Sequence, residues 1–215
     1  MRLWAASVAI CMAQAAQACE TALLLTIDVS NSIDVAEYRL QVDGLADALL
    51  DAEITDVIVQ GQSALAVVQW SGVDRQELSI PWTQLRSRAD VQTFAAQARA
   101  MARAFVLSDT APAEALDFAL RQFADAPACD RRVIDVSGDG TPNSGSDPRP
   151  MVRAAERAGV TVNGIAIESM GLAITNFYRR EIITRDGFVI TARQHRDYPR
   201  AIREKLLREL SRILG

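Results

Sequence analysis

Short, fully apolar runs alternate along this chain with stretches of helical periodicity, and that alternation leaves few folds open. Residues 22–27 and 64–70 are apolar without the in-and-out alternation of a half-exposed strand, so they read as strands covered on both faces. Residues 132–136 and 160–167 read the same way, and 188–191 as a short final strand. Residues 77–82 do alternate and end in Pro81-Trp82, the signature of a sheet edge, where a missing N–H is tolerated. Between these runs lie helical stretches. Residues 35–52 place Leu45, Leu49 and Leu50 on one side, and 89–104 is Ala-rich. Pro112 opens another helix at the position where proline costs no hydrogen bond. Residues 151–158 end at Gly159, which suits a C-cap, and 174–183 form a further helix. Residues 198–213 are amphipathic, with Ile202, Leu206, Leu210 and Ile213 on one face. Strands alternating with helices predict an α/β three-layer sandwich, with a mostly parallel central sheet, one antiparallel edge strand and helices on both faces. No internal repeat, linker or second domain interrupts the pattern.

The first 18 residues stand apart. Arg2 gives a positive start, residues 3–13 are apolar apart from Ser7, and Ala16-Gln17-Ala18 has the small-x-small form that signal peptidase accepts. This predicts a signal peptide at 1–18, a mature domain at 19–215 and a periplasmic or secreted protein. The alternative is a buried N-terminal helix. Cys19 would be the first mature residue, as in a lipoprotein, but Ala16 stands where such signals carry a larger aliphatic side chain. The apolar run is too short to span a bilayer, which takes about 20 residues, and no other stretch is long enough, so no transmembrane segment is expected. The formal charge of −4 comes with no long basic run, which argues against a nucleic-acid partner.

Cys11 lies within the signal and leaves Cys19 and Cys129, an even pair in an oxidising compartment. Each precedes an apolar strand by a similar distance. If those strands are parallel neighbours, the two thiols meet at one end of the sheet, which predicts a Cys19–Cys129 disulfide. Two free thiols are the alternative.

Ligands of parallel α/β sheets bind beyond the carboxyl ends of the strands, so the loops there carry the chemistry. After the strand ending at Ile27 comes Asp28-Val29-Ser30-Asn31-Ser32, one carboxylate and two hydroxyls in a tight loop. A second loop offers Asp139 in Ser137-Gly138-Asp139-Gly140, and a third, before Pro112, offers Ser108, Asp109 and Thr110. Oxygen donors of this kind suit a hard divalent cation, Mg²⁺ before Mn²⁺ or Ca²⁺. The bland reading is also open: Asp and Ser commonly cap helices.

This constellation resembles the von Willebrand factor type A family and its metal-ion-dependent adhesion site: Asp-x-Ser-x-Ser, then a threonine, then Asp followed by Gly. The resemblance spans 21–214 and implies the family's Rossmann-like fold, with Asp28, Ser30, Ser32, Thr110 and Asp139 as metal ligands. It further implies a non-catalytic module in which an Asp or Glu of a protein partner completes the metal's coordination. The runs Asp135-Val136-Ser137-Gly138-Asp139-Gly140, Val162-Asn163-Gly164-Ile165-Ala166-Ile167 and Val68-Gln69-Trp70-Ser71-Gly72 are similar to a bacterial family of exported type A-domain proteins of unknown function. One departure stands out. Asp109 replaces the glycine usual before the threonine, and this third acid could coordinate, repel the ligand carboxylate or face solvent.

Other residues read as structural. Asp135 sits within a strand, Asn143 and Asp147 suit turns, and Trp70 and Trp82 suit the core and the sheet edge. His195 reads as a surface or cap residue, and Arg179, Arg180 and Arg185 as a solvated face. Enzyme readings fare worse. A phosphatase with an aspartate nucleophile wants an acid two residues on, where this chain has Ser30. There is no Gly-x-Ser-x-Gly elbow and no phosphate-binding Gly-Lys loop. A metal-free interaction domain remains the other alternative.

Overall fold

The computed structural model describes residues 19–211. The expected signal peptide at 1–18 and the last turn of the expected C-terminal helix lie outside these residues. In chain order the elements are β1 (Cys19–Asp28), α1 (Val35–Leu49), α2 (Ala52–Gly61), β2 (Ala64–Trp70), β3 (Gln76–Gln84), α3 (Arg88–Ala100) and α4 (Pro112–Gln122). They continue with β4 (Cys129–Gly138), α5 (Arg149–Arg157), β5 (Val160–Glu168), α6 (Ala173–Phe177), a π-helical turn (Tyr178–Ile182), β6 (Val189–Arg193) and α7 (Tyr198–Leu210). The strands form one sheet in the order β3-β2-β1-β4-β5-β6, in which only β3 is antiparallel. This is the three-layer α/β sandwich expected from the sequence.

Two-sided burial explains the unbroken apolar runs. Along β1, Leu23, Leu25 and Ile27 join a core with α1, α2, α3 and α7, while Leu24 points to the opposite core with α4, α5 and the π turn. Trp70 is buried in that second core, and Trp82 donates its indole N–H to the Gln122 carbonyl (2.9 Å). Asp135 lies inside β4, buried beside Lys205 (2.8 Å), which also pairs with Glu209. Arg179, Arg180 and Arg185 are exposed, as expected. Among the described residues no helix is long and apolar enough to cross a membrane.

Three helices differ from expectation. The helix expected over 35–52 ends at Leu49, and α2 follows at once because Asp51 caps it, accepting from the Glu53 and Ile54 N–H groups. The helix expected to reach Ala104 stops at Ala100. Tertiary bonds replace its last turn: the Met101 carbonyl accepts from the Tyr38 hydroxyl, and the Gln69 side chain donates to the Ala102 carbonyl and accepts from the Ala104 N–H. The helix expected over 174–183 is a short α turn continued by the π turn.

The β1–β4 pairing is parallel, with Cys19 opposite Cys129 and Ile27 opposite Ser137. At one end this register brings the two cysteines together as the expected disulfide. At the other it places Asp28 beside Gly138, one residue before Asp139.

Candidate metal centre

Asp28 is the last residue of β1, fully buried, and its Oδ1 accepts the Ser30 N–H at 2.7 Å. That bond folds the loop back so that Ser30 and Ser32 bring their hydroxyls 3.1 Å apart. Ser32 donates to Asp139 Oδ1 at 2.6 Å, joining the loops after β1 and β4. Arg103 braces the first loop from outside, donating to the Val29 and Ser30 carbonyls at 2.9 and 2.8 Å. The third loop arrives between them. The Asn31 N–H donates to the Ser108 carbonyl, and the Thr110 N–H donates to Asn143 Oδ1 at 2.8 Å. Thr110 is buried, and a Cβ on Gly140 would stand 3.7 Å from its Oγ1. The fold therefore brings the loops that carry Asp28, Ser30, Ser32, Thr110 and Asp139 together at the carboxyl ends of the central strands β1 and β4. Asp109 lies next to them with its side chain exposed and its carbonyl accepting the Ser71 hydroxyl.

The second oxygen of Asp28 has no hydrogen-bond partner although it is buried. Burial raises the Asp28 carboxyl to about 7, against the opposing hydrogen bonds from Ser30, and Asp139 adds to the rise. Burial raises Asp139 as well, with Ser32 and His195 acting against it. Two carboxylates held in this way lack a positive charge between them, and an oxygen-ligated cation would supply it. Gly138 keeps the space open. A Cβ there would come 2.9 Å from Asp28 Oδ2 and 2.7 Å from the Tyr178 hydroxyl. Tyr178 reaches this point from the π turn by lying over Gly164, where a Cβ would stand 2.5 Å from its ring, and its buried hydroxyl also lacks a partner. Among the described residues no group of three or more His, Cys, Asp or Glu side chains could hold a metal, so any site here combines carboxylates with hydroxyls.

The structure adds two residues that the sequence did not single out and corrects the reading of a third. His195 follows β6 and is not a surface or cap residue. Its Nδ1 lies 2.9 Å from Glu37 and its Nε2 3.8 Å from Asp139, with only 11% of its side chain exposed. Glu37 completes the capping box that starts α1 at Asp34 and reaches His195 with its other oxygen. Arg103 was expected within a helix, and its position became legible only through the loop it braces. Ser32, Glu37, Asp139, Glu168, His195 and Arg196 line a cleft of about 600 Å³ beside the site.

The model of a family described as protein of unknown function (DUF1194) matches residues 18–214. The chain belongs to that family. No curated protein matches it. Among solved structures, proximal thread matrix protein 1 from the mussel byssus, in a form with a zinc-occupied adhesion-site motif, is 21% identical with a TM-score of 0.69. That match covers 90% of this chain and 48% of the mussel chain. A von Willebrand factor type A protein from Catenulispora acidiphila is 17% identical with a TM-score of 0.62, over 89% of this chain and 43% of that one. The vWF domain of the type V pili tip protein Mfa5 from Porphyromonas gingivalis is 11% identical with a TM-score of 0.60, over 91% and 97%. This chain spans about half the length of the mussel protein or less of its larger relatives. The DUF1194 chain thus has the von Willebrand factor type A fold.

Proposed function

We propose that this protein is an exported binding module that holds a divalent cation, Mg²⁺ before Mn²⁺ or Ca²⁺, and uses it to grip an Asp or Glu carboxylate of a protein partner. The observation that carries this reading is the chain of contacts that ties Asp28 Oδ1 to Ser30, Ser30 to Ser32 and Ser32 to Asp139, with Thr110 beside Gly140, while the buried Oδ2 of Asp28 has no partner. Ser30, Ser32 and Thr110 would offer hydroxyl oxygens, and Asp28 and Asp139 would offer carboxylates, directly or through water. When bound, the cation supplies Lewis acidity toward an anionic oxygen of the partner. The chain's own part is to hold the donors in place: Arg103 and Asn143 fix the loops, and Gly138 keeps the centre open. The zinc-occupied motif of the mussel protein, which shares this fold, supports a metal-holding reading. The disulfide supports export, because such bonds persist in oxidising compartments. The similar structures of a thread matrix protein and a pili tip protein support reading the module as non-enzymatic.

A metal-free interaction domain is the second reading. The Ser32–Asp139 hydrogen bond favours it, since it partners two of the donors without a cation. Thermal unfolding separates the two. Protein stripped with chelator and then given Mg²⁺, Mn²⁺ or Ca²⁺ should melt higher, because a ligand of the folded state stabilises it by mass action. Asp28→Ala should fold and show no such rise. No rise in the native protein with any of the three metals would favour the metal-free domain.

A further inference from the structure

A second cleft, of about 750 Å³, opens beside the end of β6 and is lined by Leu172, Thr191, Arg193, Arg196, Asp197 and Arg200. Three of these side chains are guanidiniums and one is a carboxylate, in a protein whose formal charge is −4. The carboxylate is already engaged. Arg200 grips Asp197 with a fork, Nε to Oδ1 and Nη2 to Oδ2, at 2.8 Å each. The Arg193 N–H adds a bond to Asp197 Oδ2 at 2.8 Å. The Arg200 contact above all holds the Asp197 carboxyl below the usual range, so it stays ionised. Arg200 also reaches Glu204 and the Thr191 carbonyl, at 2.7 and 2.8 Å.

Arg193 and Arg196 have no such arrangement. Among the described residues neither guanidinium has an ion-pair or hydrogen-bond partner, and Arg193 feels Asp197 only at longer range. The acids of the adjoining cleft are taken. Glu168 accepts from the Thr175 and Ile174 N–H groups, and Glu37 faces His195. The backbone between the two arginines is strained. Gln194 has φ 73° and ψ 163°, a region that only glycine enters without cost. Its N–H donates to the Glu168 carbonyl at 2.8 Å, and its carbonyl accepts from the Asp197 N–H at 3.0 Å. This turn sends His195 to Glu37 and Asp139 while Arg193 and Arg196 line the second cleft. Two unpaired guanidiniums in one cleft repel each other, and the strain falls at the same point. A bound anion would relieve that repulsion.

We propose that Arg193 and Arg196 form a binding site for a doubly charged tetrahedral oxyanion, inorganic phosphate or a phosphate monoester, that works without the metal centre. Charge and shape select this class. A single carboxylate would neutralise one guanidinium and leave the other, whereas a dianion balances both. Each planar guanidinium presents two parallel N–H groups, and a tetrahedral oxyanion has oxygens enough to accept a fork from each arginine. Arg200, locked by Asp197 and Glu204, forms a wall of the cleft.

The test uses the disulfide-bonded protein, stripped of metal and then dialysed free of chelator, at about pH 8, where phosphate monoesters are dianionic. Calorimetric titration with inorganic phosphate or methyl phosphate, to about 20 mM, should show saturable binding with a Kd on the order of 1 mM, as two charge-assisted contacts would give. Arg193→Gln and Arg196→Gln should each weaken binding about tenfold, and together abolish it. Both side chains are exposed and unpartnered, so these variants should melt as the native protein does. Arg179→Gln combined with Arg180→Gln removes the same charge from another exposed place and should bind phosphate normally. Tighter binding of the inorganic ion would identify free phosphate as the ligand, and tighter binding of the ester would identify a phosphoryl group on a larger molecule. Equal weakening in the two double variants would mean a general charge effect and overturn the site. Acetate binding as tightly as phosphate would overturn the choice of a dianion. No binding of either soluble phosphate, or binding only to phosphatidylglycerol vesicles, would overturn the proposal outright. None of these results bears on the metal reading, which the melting shift tests separately.

Discussion

Replacing both cysteines by alanine tests the part of the architecture that fixes the register of the two site-bearing strands. Cys19 and Cys129 close a loop with a sequence separation of 110. In the chain-entropy model a loop of that length removes about 16 cal/mol/K from the unfolded ensemble, or about 4.8 kcal/mol at 25 °C. Each alanine also loses a little packing, since Cys19 is buried. Cys19→Ala/Cys129→Ala should therefore unfold at a urea midpoint roughly 2 M lower, for a slope of about 2 kcal/mol/M, and melt roughly 10–15 °C lower. Fluorescence of the buried Trp70 reports the transition. Each strand is ten residues long, so the disulfide sits about 30 Å from the metal centre, and the variant's remaining fold should keep its response to Mg²⁺. A midpoint within about 0.5 M of the native protein would refute the loop-closure reasoning. A lost metal response in a folded variant would refute the separation of scaffold from site.

Two further perturbations address the interior. Gly138→Ala would push a Cβ to within 2.7 Å of the Tyr178 hydroxyl and 2.9 Å of Asp28 Oδ2. It should cost about 1–3 kcal/mol in urea unfolding and abolish the metal-induced melting shift. Asp135 is raised to about 7 by burial, with Lys205 opposing and Glu209 adding to the rise. A carboxyl whose folded value lies above its unfolded one stabilises the fold at low pH and loses that contribution as pH rises from about 4 to about 7. In chelator, Asp135→Asn should accordingly show a smaller fall in urea midpoint between pH 5 and pH 8 than the native protein. An equal fall would mean that Lys205 keeps Asp135 charged throughout.

Much of this was legible because it is local. Runs such as Leu23-Leu24-Leu25 can be apolar throughout only when both faces are covered, and that condition implied the parallel sheet. The matched spacing of each cysteine from the Asp28 and Asp139 loops suited β1 and β4 as parallel neighbours, and the rest of the strand order was not read from the sequence. What could not be read depends on contacts between distant segments. The split between α1 and α2 rests on Asp51 capping a helix whose apolar spacing continues across the break. The end of α3 is set by the Gln69 side chain, which satisfies the backbone groups of Ala102 and Ala104 from another element. The π turn follows from the vacancies at Gly138 and Gly164 that admit Tyr178. His195 reaches the site only because β6 is the outer parallel strand, whose end returns beside α1, where Glu37 meets it. No spacing in the sequence encodes that meeting.

The proposed role of Asp28, Ser30, Ser32, Thr110 and Asp139 is to hold a divalent cation. Anomalous diffraction from crystals soaked in Mn²⁺ tests it most directly, because it locates the ion without reference to a partner. One strong peak is expected within bonding distance of the Ser30 and Ser32 hydroxyls, absent in crystals of Ser32→Ala. A peak elsewhere, or none beside these hydroxyls at saturating Mn²⁺, would contradict the metal reading.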